Sequence, residues 1–370
     1  MKKVLNLKYP VSGLSPMDGV SDNAFRFITK KYGNPQIMFT EFTNVMGLSF
    51  AARNLLEAFK YDESQRPIIA QIYGTEVDHF YSAAKIVCEL GFDGVDINMG
   101  CPSKTVASHG SGAGLIRTPD LAREIIASVK EGVKHWVENG ELTGLSDKSH
   151  NAVTEFKKRL IENLPNDINK EIIGVSNILG IKRNEIPVSV KTRIGYDKPI
   201  TEEWIKNLTL AKPSWISLHG RTLKQMYTGM ASRDEIKKGV DSTDLAILAN
   251  GDIKNYYDIQ EMINYTGSYG TLIGRGTFGN PWIFREPLVK GETIEKFNLE
   301  NYQLKVQILL EHTKKFIEDN PEEKSFVQMR KHFGWYIKGF DGAKEIREKL
   351  MRAKNLKEVI EIFKYSSYII

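Results

Sequence analysis

Cysteine is scarce in this chain: Cys88 and Cys101 are the only two in 370 residues. That excludes a disulfide-stapled scaffold and makes a reducing cytoplasm the expected compartment. Long apolar runs are missing as well. No stretch approaches the roughly 18 apolar residues of a membrane span. The basic start, Met1-Lys2-Lys3-Val4-Leu5-Asn6-Leu7-Lys8, is not followed by the apolar core of a signal peptide. Excess charge is small: 51 Lys and Arg against 46 Asp and Glu leave a net +5, which permits an anionic partner without demanding one. No metal site is expected, and a monomer is the favoured state. What remains, 41% hydrophobic and 26% charged residues, is ordinary globular composition, long enough for one large domain and a small one.

A further absence narrows the fold. Eight short apolar or β-rich runs occur at residues 11–17, 37–42, 68–73, 94–98, 187–193, 214–219, 246–251 and 270–274. Amphipathic stretches at 22–32, 76–90 and 119–130 lie between some of them. Such alternation means a parallel sheet. A doubly wound sheet usually carries a glycine-rich phosphate turn after its first strand. Ser15-Pro16-Met17-Asp18-Gly19 is not one. The expected fold is therefore a (β/α)8 TIM barrel over residues 1–290, followed by a small all-helical domain over 291–370. One interval holds too much chain. Residues 133–185 are polar and helix-compatible, with a break at Pro165, and read as an insertion on the barrel.

The tail reads as helices at 302–320, 322–339, 343–352 and 357–365. From Lys324 to the end there are eleven basic residues against five acidic ones, a local excess of six that exceeds the whole chain's +5. A solvated helix face is the plain reading of such a run. The sharper one is a surface for an anionic polymer, with Phe333, Trp335 and Tyr336 interleaved.

Chemistry-bearing residues gather at the C-terminal ends of the predicted strands, where a barrel keeps its active site. They are Pro16, Met17 and Asp18 after strand one, Gln71 in strand three, Asn98 and Cys101 at strand four, Lys191 and Arg193 at strand five, and His219 and Arg221 at strand six. Asn250-Gly251-Asp252 and Gly274-Arg275-Gly276 end strands seven and eight and resemble a phosphate grip, with glycines that let backbone N–H groups approach an anion. A ligand gripped there would lie across the mouth, and a flavin fits: Lys191 would be the cation beside its N1 and Gln71 its amide partner. Cys101, an ordinary thiol with a pKa near 8.5, would be mostly protonated at neutral pH, able to deliver a proton while hydride arrives from the flavin. Cys88 sits in a helical run and reads as a packing residue.

Taken together, these strings resemble the dihydrouridine synthase family. The resemblance rests on Ser15-Pro16-Met17-Asp18-Gly19-Val20-Ser21-Asp22 with Phe25-Arg26, Gln71-Ile72-Tyr73-Gly74, Asp96-Ile97-Asn98-Met99-Gly100-Cys101-Pro102, Val190-Lys191-Thr192-Arg193, His219-Gly220-Arg221-Thr222 with Gln225, Tyr227 and Gly229, Asn250-Gly251-Asp252-Ile253, Gly274-Arg275-Gly276 with Gly279-Asn280-Pro281-Trp282, and the tail string His332-Phe333-Gly334-Trp335-Tyr336. It covers most of the chain. It implies FMN as cofactor, NADPH as reductant, and reduction of uridine to 5,6-dihydrouridine in tRNA, with Cys101 protonating C5 while hydride reaches C6. It also implies that Pro16, Met17, Asp18, Gln71, Lys191, His219, Asn250, Gly251, Asp252, Gly274 and Arg275 hold FMN. Asn98, Arg193 and Arg221 would hold the uracil or position the catalytic loop, and Lys104 and His109 would approach the substrate. A stacked uridine must be turned out to reach a barrel mouth, and the basic tail would grip the backbone. Two departures stand out: Ala231-Ser232-Arg233 replaces a tryptophan-containing string, and Asp341 stands where a proline is common. The rival readings are an FMN barrel acting on a small-molecule C=C bond, in the manner of dihydroorotate dehydrogenase, and a non-catalytic RNA-binding protein.

Overall fold

A computed structural model describes residues 2–285 and 299–364. The domain boundary expected at 290/291 lies outside the described residues. Eight parallel strands close into a barrel in chain order. They are β1 (Val11–Leu14), β2 (Ile37–Asn44), β3 (Ile68–Tyr73), β4 (Gly94–Met99), β5 (Val188–Arg193), β6 (Trp215–His219), β7 (Ala246–Asn250) and β8 (Gly270–Ile273). The β1–β8 pairing, Val11 opposite Gly270 through Leu14 opposite Ile273, closes the ring. Each strand agrees with a predicted run to within a few residues. Val11, Ile37, Phe39, Ile69, Trp215, Ala246, Leu248 and Leu272 belong to one apolar cluster with Val4. These residues recur at alternate positions along their strands, as an inward-facing set must. Polar residues begin nearer the C-terminal ends of the strands.

The helices are α1 (Asn23–Gly33), α2 (Val45–Leu55), α3 (Val77–Glu89), α4 (Lys104–Ser108), α5 (Pro119–Asn139), α6 (Asp147–Glu162), α7 (Ile173–Ile178), α8 (Thr201–Leu210), α9 (Arg233–Asp241), α10 (Tyr256–Thr266), α11 (Leu299–Asp319), α12 (Arg330–Tyr336), α13 (Ala343–Leu350) and α14 (Leu356–Lys364). The 133–185 stretch reads differently once folded. α5 runs unbroken through 133 to Asn139 and is closed by Gly140 in the left-handed conformation (φ 70°). The surplus is therefore α6 and α7. Ser146 caps α6, its hydroxyl accepting from Ser149 N, and also donates to Phe50 O. Lys157 pairs with Glu89 of α3 at 2.6 Å. α7 is tied to the barrel through a buried charge network. Arg66 Nη1 meets Asp93 Oδ1 at 3.0 Å and donates to Gly91 O. Asp93 in turn accepts from Ile68 N and Gly174 N.

The described residues form two compact units: those within 1–22, 35–253 and 257–274 make the barrel, and those within 23–34, 254–256 and 275–370 make a helical unit. α1, which follows β1 in sequence, thus groups with the C-terminal helices. Ala24 and Ile28 join Val306, Leu309, Met329, Phe333 and Ile337 in one apolar cluster. Asn23 Nδ2 donates to Asp319 Oδ2 at 2.8 Å, and Lys31 pairs with Glu311. Two tail expectations change. The helix expected over 322–339 is a 3₁₀ segment, Glu323–Met329, followed by α12, which ends at Tyr336. The interleaved aromatics do not form a stacking surface: Phe333 and Tyr336 are core, and half-buried Trp335 stacks on Phe278 with centroids 3.8 Å apart.

His312 and His332 meet inside this unit, ring centroids 4.6 Å apart and both essentially inaccessible. Burial lowers His312 to about 3 and His332 well below the ordinary value; the Lys331 charge adds to both, and His312 adds to His332. In the unfolded chain both titrate near 6.5. Folding therefore disfavours their protonation, and stability is complete above about pH 6.5 and declines below it, by up to about 1.4 kcal/mol per pH unit per histidine. Urea titrations at neutral and mildly acidic pH should show this slope, and His332→Phe should flatten it. An identical slope in that variant would remove the pair as its source.

Candidate active site

β4 delivers its C-terminal end as a pinned turn. Asn98 Oδ1 accepts from Gly100 N at 3.0 Å and Cys101 N at 2.9 Å, the local bond that makes asparagine a turn residue. Arg193 Nε donates to Gly100 O at 2.7 Å, and Thr192 Oγ1 to Met99 O at 3.1 Å. Beyond the thiol, Ala113 N donates to Cys101 O. Gly112, at φ 56°, leaves room for it; a Cβ there would lie 3.1 Å from Cys101 Cβ. Cys101 is half-buried. Burial is the main influence on its thiol and raises its pKa. A backbone hydrogen bond at Ser103 opposes that, Asp18 reinforces it, and the Arg193 and Lys191 charges oppose it. The net effect keeps sulfur in the thiol form.

Lys191 lies in register with Asn98 on one side and Ser217 on the other. Burial, then the Arg193 charge, lowers its amine to about 8, with Asp96 and Cys101 pulling it back up. Tyr73, at the end of β3, feels the charges of Asp18 and Cys101 and hydrogen bonds Asn44. Asp18, Tyr73, Cys101, Lys191 and Arg193 therefore share one neighbourhood at the mouth. Met17 is anchored by Ser21, whose hydroxyl accepts from Met17 N at 2.8 Å, and its Sδ lies 3.3 Å from where a Gly274 Cβ would sit. Half-buried Pro16 precedes it.

After β7 the backbone turns through two positive φ values, Gly251 at 133° and Asp252 at 50°. Gly251 is required here, since a Cβ would fall 2.5 Å from Ala231 Cβ and 3.2 Å from His219 Cδ2. Asn250 is buried and donates to Leu272 O at 2.7 Å. The Asp252 carboxylate faces Arg221 Nη2, at 2.7 and 2.8 Å, and Ala231 N at 2.7 Å. An anion would thus meet Asp252 through its backbone, not its side chain. Arg275 belongs to the helical unit, where it opens a 3₁₀ turn and is exposed.

Several of the expected site residues also make contacts within the protein. Arg221 is 2% exposed and donates to Thr228 O and Gly229 O as well as Asp252. These bonds tie the 228–231 loop to Asp252. Arg193, 3% exposed, joins Gly100 to Thr222 O and Met226 O, which is the loop-positioning half of its expected role. Gln71 is inaccessible, with Nε2 on Asp96 Oδ2 and Oε1 on Asn98 Nδ2. His219 is 8% exposed, its Nε2 3.4 Å from Arg221 Nη1. Lys104 opens α4, and its side chain lies outside those described. His109 is exposed and turned to Thr105 O at 2.6 Å. Asp96, Ser189 and Tyr73 were not singled out from sequence. A carboxylate in the middle of the buried run Gly94-Val95-Asp96-Ile97 was the available signal.

A family model described as dihydrouridine synthase (Dus) matches residues 13–162 and 179–367. The gap, 163–178, contains Pro165 and α7. The chain is 30% identical over 362 residues to the probable tRNA-dihydrouridine synthase 2 of Bacillus subtilis (strain 168), covering 95% of this chain and 93% of that protein. It is 28% identical over 369 residues to a probable tRNA-dihydrouridine synthase of Staphylococcus epidermidis (strain RP62A), covering 96% and 93%. A closed parallel barrel with polar residues at one mouth is the architecture of a barrel enzyme, and the family match makes it an oxidoreductase. The chain belongs to the dihydrouridine synthase family.

Proposed function

We propose that the protein reduces the C5=C6 bond of uridines in tRNA to 5,6-dihydrouridine, with FMN as cofactor and NADPH as reductant, in the cytoplasm. The observation that carries the reading is Cys101, a protonated thiol on a pinned turn at the mouth, with Lys191 beside it. The names of the relatives support tRNA as the substrate.

The residues present fit a phosphorylated flavin. The positive-φ turn at Gly251 and Asp252, with Gly274 beside Met17, is a backbone concavity of the kind that takes a phosphate. Arg275 follows Gly274 in the chain and would add charge. Lys191 is a cation near neutral pH and would stand at the flavin's N1 edge. Pro16, Met17, Asp18, His219 and Asn250 would line the group, and Gln71 would act through its partners. A bound flavin would supply hydride chemistry, with uracil C6 as the acceptor. Cys101 would give its proton to C5, Asn98 and Arg193 hold that thiol's turn in place, and burial favours keeping the proton on sulfur. Purified protein should carry flavin absorbance or take up FMN on titration, and a colourless protein that binds none would sink the reading.

For the RNA surface, exposed Lys338, Lys344, Lys349, Arg352, Lys354 and Lys357 are the proposed phosphate partners. Arg347 is half-buried, and its Nη1 donates to Ile337 O at 2.8 Å. Changing Lys338, Lys344 and Lys349 to glutamine should weaken tRNA binding and flatten its salt dependence, by about 0.7–0.9 in log–log slope for each phosphate that is no longer neutralised. Unaltered affinity and slope would leave these lysines as solvated surface.

A further inference from the structure

A line of four polar side chains crosses the barrel from β5 to the Cys101 turn. Ser189 Oγ donates to Asp96 Oδ1 at 2.6 Å. Gln71 Nε2 donates to Asp96 Oδ2 at 2.7 Å. Asn98 Nδ2 donates to Gln71 Oε1 at 3.0 Å. Asn98 Oδ1 then accepts from Gly100 N and Cys101 N. Ser189, Asp96 and Gln71 are inaccessible, and Asn98 is 6% exposed. The strand registers enforce the order, Gln71 opposite Asp96 and Asp96 opposite Ser189.

The direction of this line is fixed at both ends: the Gly100 and Cys101 N–H groups can only donate, and at the far end Asp96 accepts. A primary amide can turn over and exchange its donor for its acceptor; an ionised carboxylate can only accept. Burial raises Asp96 to about 6, while the Gln71 and Ser189 hydrogen bonds and the Lys191 charge hold it down, so it is ionised near neutral pH. It therefore requires the Gln71 NH₂ on its side. That turns Gln71 Oε1 towards Asn98, which requires the Asn98 NH₂ there, and leaves Asn98 Oδ1 facing the Cys101 turn. With Asn98 reversed, its NH₂ would face the backbone N–H groups and the turn would lose both bonds; with Gln71 alone reversed, its NH₂ would face that of Asn98.

We propose that Asp96 is a positioning residue for the Cys101 turn: by accepting from Gln71 it holds Gln71 and Asn98 in the polarity that the turn's N–H groups need and, through them, the backbone that carries the thiol. Its catalytic consequence rests on the reading of Cys101 as proton donor; the positioning itself does not.

The experiment measures iodoacetamide alkylation of Cys101 in the full chain without added flavin, near neutral pH, with buried Cys88 as the internal reporter of unfolding. Asp96→Ala and Gln71→Met should each speed Cys101 alkylation by about fivefold or more, the factor that one net hydrogen bond is worth. Asp96→Asn should stay near the wild-type rate, because its oxygen still accepts from Gln71 while its NH₂ donates to Ser189. Wild-type rates in Asp96→Ala and Gln71→Met would overturn the proposal, and so would an Asp96→Asn as fast as Asp96→Ala. If Asp96→Ala exposes Cys88, Gln71→Met decides alone. With tRNA as substrate, kcat should fall in Asp96→Ala and recover in Asp96→Asn. A protein with no such activity but the same alkylation pattern would fail the functional reading and keep this one.

Discussion

Cys101→Ala is expected to leave FMN binding intact and to slow dihydrouridine formation by about 10²–10⁴-fold, the usual contribution of a positioned general acid. The substitution removes only a sulfur and its proton. The turn survives it, because Asn98, Arg193 and Ala113 hold residues 100 and 101 through backbone atoms. Flavin affinity and turnover should therefore separate cleanly. The pH dependence has a defined sign. A proton donor works below its pKa and fails above it. Burial raises this thiol, so turnover limited by Cys101 should hold through neutral pH and decline only above the ordinary thiol range near 8.5. Activity that rises through that range would indicate a thiolate nucleophile. Unchanged turnover in Cys101→Ala would remove the residue from the donor role.

Arg66→Ala is expected to cost the fold more than any other single change considered. The Arg66 guanidinium bonds Glu63 at 2.6 and 2.9 Å, Asp93 at 3.0 Å, Tyr61 at 3.1 Å and Gly91 O at 2.9 Å. Arg66 and Asp93 are under a tenth exposed. Truncation leaves the Asp93 carboxylate buried without its counter-ion while it still holds the start of β3 and the first turn of α7. Breaking such a pair costs about 3–5 kcal/mol. For a barrel of this size that is roughly 10 °C in unfolding midpoint. A shift within a degree or two of wild type would mean that the network is better solvated than its geometry indicates.

The barrel was legible because its strands announce themselves locally. Each is a short β-rich or apolar run, and several end at glycines or prolines, so β3 and β4 needed no knowledge of their neighbours. The mouth residues were legible for the same reason, since a strand's C-terminal end is a sequence position. Their partners were not. Arg221 and Asp252 are 31 residues apart in sequence, Gln71 and Asp96 are 25, and only barrel closure makes each pair adjacent. That is why neither the Arg221–Asp252 pair nor the Asp96–Gln71 bond could be read from the sequence. The tail misled in another way. Periodicity over 322–339 suits one helix, and Phe326, Met329, Phe333 and Ile337 do enter one core at that spacing, yet the backbone carries them there as a 3₁₀ segment, Glu323–Met329, followed by α12. The grouping of α1 with the C-terminal helices was invisible locally, because its pattern shows an apolar face and not what covers it.

Whether this barrel reduces uridine in tRNA is decided by nucleoside mass spectrometry of unmodified tRNA incubated with the purified protein, FMN and NADPH. Dihydrouridine should appear in the tRNA, its formation should require NADPH, and Cys101→Ala should form it far more slowly. Flavin-loaded protein that consumes NADPH and leaves every uridine unreduced would contradict the proposed function.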